Sequence, residues 1–271
     1  MQEFLNHPAV QGVLAPFVIA LIVAELLLRL RLSGLAVIAG FAITVYLVSD
    51  FSLEPLTSTR KIVMLGLVSA LLALSLLWFN WRPLRWMLAA AGSIATVWMA
   101  LPILQQQDTT HMLLWSSGCA LYVGWLIFWM DALYESPVRA GSAGMALGLG
   151  TGGSALFGAS ALLGQFGLAL GAAASAYLLL QVVSNSRLSC GRSFTLPLSL
   201  IAGLTGCLAV LTAQLPWYAL PVLAAIPLAA KIPTSQKMGL WLQSLLLSIA
   251  TLACASVAIY ITWYVAGAPP F

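Results

Sequence analysis

The feature that most constrains this chain is a succession of apolar stretches, most about as long as the ~20 residues that a helix needs to cross a bilayer's hydrocarbon core, with almost no charge inside them. Side chains are 62% hydrophobic and 7% charged, against about 25% charged in a soluble domain. A soluble fold of this length cannot turn so much apolar surface inward, whereas lipid lets the outer face of every element stay apolar. Backbone polar groups in hydrocarbon must be bonded internally, which leaves helices and closed barrels. A barrel would alternate in polarity along each strand; these runs are continuous, so helices are expected.

Breaking the runs at proline, glycine and charge predicts segments near 12–30, 35–50, 61–79, 84–104, 112–134, 141–162, 165–184, 194–213, 216–231 and 238–266. The expected fold is thus an all-α, polytopic membrane bundle of about ten helices (eight to ten), with short loops and one transmembrane domain over residues 1–271. Basic residues orient it, because cytoplasmic loops are enriched in Lys and Arg. Arg29, Arg31, Arg82, Arg85, Arg139, Arg187, Arg192, Lys231 and Lys237 fall in or beside alternate connections, and only Arg60 and Lys61 fall on the other side. Both termini are therefore expected on the non-cytoplasmic side. The opening MQEFLNHPAV lacks a basic region, so the first run is expected to stay as a helix. Arginine exceeding lysine and abundant alanine fit a bacterial inner membrane.

The most distinctive stretch runs from 140 to 176. Gly144, Gly148 and Gly152 recur every four residues, as do Gly167, Gly171 and Ser175 in the next segment. Such small faces let helix backbones approach closely, so a close-packed hairpin is one expectation. The other is that GLGTGGS at 148–154 interrupts its helix and offers Gly150, Thr151, Gly152, Gly153 and Ser154 to a substrate or ion, as discontinuous transporter helices do. Pro221 and Pro227 mark the ninth segment as kinked or hinged, since proline removes an amide donor.

Ionisable residues within a membrane are functional candidates. Glu25 lies four residues before Arg29, in the favourable order for a helical ion pair, and is alternatively a proton or cation site. Asp131 and Glu135 are also four apart, with Arg139 following, and either meet basic partners or mark a cation access point. Gln181 is a further polar candidate inside a span. Trp115, Trp125 and Trp129 fall inside the fifth segment, where packing competes with interfacial anchoring.

Only His7 and His111 are available as imidazole ligands, and Cys119, Cys190, Cys207 and Cys254 form no CxxC pair, so no metal and no cofactor is expected. No HExxH, GxSxG or phosphate-binding glycine motif occurs, and nothing points to nucleic acid. The sequence favours a small-solute or ion permease. The alternative is a non-catalytic subunit or scaffold that binds other membrane proteins or its own copies through the glycine faces. A lipid-modifying enzyme ranks third.

Overall fold

The computed structural model describes residues 7–30, 32–49, 51, 54–76, 81, 83–158, 160–184, 190–212, 215–234 and 238–266. Every regular element among them is helical. Ten helical segments follow in order: α1 (Val10–Leu28), α2 (Ser33–Ser49), α3 (Ser58–Ser75), α4 (Leu84–Leu104), α5 (Thr109–Asp131), α6 (Pro137–Gly158), α7 (Ala161–Val183), α8 (Arg192–Thr212), α9 (Ala219–Ala229) and α10 (Leu240–Ala266). Seven are long and apolar enough to cross a membrane: α1, α3, α4, α5, α7, α8 and α10. Helices α2 and α9 are shorter, and α6 has the length, at 22 residues, but its glycines lower its hydropathy.

Local chemistry sets several of the ends. The Thr57 side chain accepts a hydrogen bond from the Arg60 amide at the start of α3, and the Ser160 side chain accepts one from the Leu163 amide at the start of α7. Each satisfies one of the amide donors that an open helix start leaves bare. Helix α5 ends at Asp131, earlier than the apolar pattern suggested. Asp131 and Glu135 consequently do not share a helical face, because Glu135 lies in the connection beyond the helix end.

The bundle is built around α6, α7 and α8. Of the residues in its membrane-length window, α8 has 89% buried, whereas α1 and α10 have 28% and form the periphery. Helices α1 and α2 lie on α7, α3 lies on α8, the α4–α5 hairpin leans on α8 through α5, and α10 lies along α6 with α9 beside it. The most extensive contact is α6 on α7. Helix α6 is continuous from Pro137 to Gly158, so the expected interruption at 148–154 is absent. Its glycines accommodate neighbours instead. A Cβ built on Gly148 would run into the backbone of Gly171, one on Gly152 into the Leu168 nitrogen, and one on Gly167 into Gly152. Gly171 meets the Leu149 nitrogen at 2.7 Å on the same measure, and Ser175 turns its hydroxyl back to the Gly171 carbonyl. Other faces of α6 receive other helices: Gly144 receives Leu198 of α8, and Gly150 and Gly153 receive Ala255 and Ile259 of α10.

The real interruption lies in α9, which splits at Ala225 into Ala219–Ala224 and Ile226–Ala229. Pro227 cannot donate to the carbonyl that an unbroken helix would offer it, and the ladder stops just before it.

Because Gly152 faces backbone, a larger residue there must push α6 and α7 apart. Gly152→Val is expected to lower stability by at least ~2 kcal/mol, read as detergent-solubilised unfolding by heat or denaturant. Gly118→Ala, where a Cβ meets nothing within 4 Å, is expected to stay within about 0.5 kcal/mol of the parent.

Candidate functional site

The antiparallel run of the helices brings the start of α4, the end of α5, the starts of α6 and α8 and the end of α9 to one end of the bundle. At its centre is Asp131, the last helical residue of α5, only 3% exposed. Its Oδ1 accepts a hydrogen bond from Arg192 Nε at 2.9 Å, and its Oδ2 one from Arg85 Nε at 3.4 Å. The two legs are unequal. Arg192 is buried beside the carboxylate, away from water; the Arg85 side chain is 34% exposed, and such a pair is worth roughly 0–1 kcal/mol.

The approach to α8 explains how Arg192 reaches its partner. Gly191 has φ +69°, a left-handed conformation that favours glycine, and its amide donates to the Tyr134 carbonyl. The Cys190 thiol also donates to that carbonyl, at 3.0 Å, and burial pushes the thiol well above its ordinary pKa. The chain leading into α8 is thus tied to the chain leaving α5. The Arg192 guanidinium lies over the Tyr134 ring, 4.8 Å from its centroid, while the Tyr134 hydroxyl donates to Glu135 at 2.6 Å. That hydrogen bond, followed by burial, raises the tyrosine's pKa.

A second group of cations surrounds the end of α9. Arg139, from the first turn of α6, donates to the Ala230 carbonyl at 2.9 Å and to Thr234 Oγ1 at 3.2 Å. Lys231 stands 4.0 Å from the centroid of the Trp129 ring. Partial burial, then the Arg85 and Arg139 charges, lower the Lys231 pKa. No described carboxylate forms an ion pair with either Lys231 or Arg139.

From this charged end a groove of about 710 Å³ runs between α5 and α9. Leu114, Gly118, Leu121 and Trp125 line one wall, and Trp217, Pro221, Ala225 and Leu228 the other. Buried Cys119, Tyr122 and Leu220 form the floor. The groove opens to the outside of the bundle, because Leu114, Leu121 and Trp217 are all strongly exposed. Near its charged end the Trp125 indole donates to the Ala224 carbonyl at 3.1 Å, the last carbonyl before the break in α9.

The residues singled out from sequence do not gather into one site. Glu25 is exposed on the outer face of α1 with Ile22 and Leu26, and it forms no ion pair with Arg29, which lies past the helix end. Asp131 belongs to the charged end, while Glu135 faces outward there. Gly150, Thr151, Gly152, Gly153 and Ser154 lie buried inside α6, and Gln181 is buried in α7. Pro221 lines the groove and Pro227 follows the break in α9. The partnership of Arg85 and Arg192 with one aspartate spans 46 and 61 positions, beyond any local spacing rule. The groove was equally hidden, although Trp115 and Trp125 in the fifth segment were its trace. Of the nine basic residues grouped by sequence, Arg31, Arg82, Arg187 and Lys237 lie outside the described residues. Among the described residues no cluster of His, Cys, Asp and Glu is fit to hold a metal. Comparison of the chain with known protein families and with curated proteins finds no match to either.

Removing one member of a buried pair costs about 3–5 kcal/mol, because the other charge stays behind. Asp131→Asn is expected to destabilise the protein on that scale in thermal unfolding. Combining it with Arg192→Gln is expected to cost clearly less than the sum of the single changes.

Proposed function

We propose that this protein is a small bacterial inner-membrane permease that moves an amphipathic molecule, and that the groove between α5 and α9 is where that molecule leaves the bilayer. The groove itself carries the reading: about 710 Å³ of apolar volume, open along the side of a chain whose helices suit a membrane. A hydrophilic solute or an ion needs several polar groups around it, and Glu25, Asp131 and the 150–154 stretch lie on different parts of the bundle. The groove's apolar walls suit a substrate with a hydrocarbon part.

In this reading all ten segments cross, the short α2 and α9 and the glycine-rich α6 being sheltered by neighbours. The end that carries Arg85, Arg139, Arg192 and Lys231 faces the cytoplasm, which puts both termini on the periplasmic side. Pro221 and Pro227 bracket the break at Ala225 and give α9 the freedom to swing against α5, as discontinuous helices do in transporters. Asp131 holds α4, α5 and α8 in register and is not a coupling group. The glycine faces that suggested a subunit are filled within the chain, which removes the feature that favoured that alternative.

The test is reconstitution in vesicles with tail-labelled amphiphiles of cationic, neutral and anionic head group, following their movement between leaflets by quenching from outside. Gly118→Trp adds bulk in the groove at a position where an added Cβ meets nothing within 4 Å. The parent is expected to accelerate movement of at least one amphiphile, and the variant to slow it at least tenfold. Parent vesicles that move none, or a variant that moves them at the parent rate, would overturn the reading.

A further inference from the structure

We infer that the groove and the charged end of the bundle together form a binding site for an anionic phospholipid, its phosphate held by Lys231 and Arg139 with Arg85 beside them and its acyl chain laid along α5. The inference deepens the permease reading by naming the substrate class, and it rests on the same groove.

Three observations meet here. The first is continuity. Leu228 lines the groove and Lys231 follows three residues later, its amide bonded to the Leu228 carbonyl, so the turn beyond α9 keeps both on one face. Trp125 lines the groove and Trp129 follows four residues later, with ring centroids 5.5 Å apart, and Trp129 carries the Lys231 ammonium on its face. The apolar walls therefore lead directly to the cations.

The second is charge. Among the described residues this end holds Arg85, Arg139, Arg192 and Lys231 against Asp131 and Glu135. Asp131 is taken up by Arg192 and Arg85, whereas Glu135 keeps its charge and faces outward, accepting from the Tyr134 hydroxyl, so the four cations outnumber the two carboxylates. Among the described residues neither Lys231 nor Arg139 has a carboxylate ion-pair partner: Arg139 donates to the Ala230 carbonyl and the Thr234 hydroxyl, and Lys231 lies on an aromatic face. Cations held near one another repel, and an anion with several oxygens relieves that repulsion; a phosphate offers such oxygens to ammonium and guanidinium donors together. Basic pockets between helices on the cytoplasmic side are suited to such head groups.

The third is length. From Trp129, which carries Lys231, to Gly118 in the groove α5 runs roughly 16 Å at 1.5 Å per residue, close to the ~15 Å that one leaflet contributes to a ~30 Å hydrocarbon core. A head group at Lys231 places its chain along the part of the wall between Trp125 and Gly118, and the wall continues beyond it to Leu114. The exposed Trp217 stands at the far end of the groove.

The experiment uses the full chain in mild detergent. Native mass spectrometry titrates it with phosphatidylglycerol and, separately, with phosphatidylcholine of identical chains. The parent is expected to bind phosphatidylglycerol at least tenfold more tightly. Lys231→Gln and Arg139→Gln are each expected to weaken phosphatidylglycerol alone, by about fivefold per charge removed, while Lys231→Arg and the distant Arg60→Gln retain it. Gly118→Trp is expected to weaken both lipids, because it takes the place of the chain. Equal affinity for the two lipids, indifference to Lys231→Gln and Arg139→Gln, or full binding by Gly118→Trp would each overturn the inference. So would displacement of phosphatidylglycerol by inorganic phosphate alone, which would mean a site for free anions. A protein that moves neutral amphiphiles yet shows no preference for phosphatidylglycerol keeps the permease reading and loses this one; selective binding without movement does the reverse.

Discussion

The close approach of α6 to α7 is the contact on which the rest of the bundle is arranged. Lipid tails are as apolar as leucine, so burying hydrocarbon between two helices in a membrane gains little. What remains is van der Waals contact, and it grows steeply as backbones come nearer. Gly148, Gly152, Gly167 and Gly171 remove the side chains that would hold the two helices apart. The same helix then accepts α8 at Gly144, α10 at Gly150 and Gly153, and Leu223 of α9 also at Gly150, so one glycine-rich segment has four neighbours and is buried nearly throughout. Helices that carry large apolar residues on most faces, such as α1 and α10, can afford the periphery because lipid covers them.

Against this apolar packing the charged end supplies orientation. Dispersion contacts tolerate small slides, but Asp131 between Arg85 and Arg192 sets the height of α4, α5 and α8 relative to one another. The buried Arg192 leg does most of this, being shorter and shielded from solvent. Arg139 ties α6 to the end of α9 through the Ala230 carbonyl, where the interrupted helix has an acceptor to spare. The packing is interrupted beside α9. Helix α9 has a break at Ala225, and the groove opens between it and α5, bridged by the indole of Trp125.

Much of this architecture was legible in the residues themselves, and for a definite reason. Apolar run length reports on each segment's relation to lipid, which is a local property. The ten predicted segments accordingly fall on the ten helices of the structure, with α5 displaced toward its start. Spacing failed where a partner lay far away in sequence. Glu25 and Arg29 have the right separation for an ion pair and make none, whereas Asp131 finds its partners in two other helices. The 148–154 stretch has the composition of a broken helix and the surroundings of a packed one, and the surroundings prevailed.

The sequence by itself determined that this chain is an all-helical protein with helices apolar enough to cross a membrane and with small-residue faces, because hydropathy and glycine spacing act residue by residue. Only the tertiary structure decided that the glycine faces meet each other, that α9 and not α6 is interrupted, that Asp131 is held between two arginines, and that an apolar groove runs toward Lys231 and Arg139, for which no described carboxylate is an ion-pair partner. Those four depend on which surfaces are brought opposite one another, and opposition in space is a property of the packed bundle that no single segment carries.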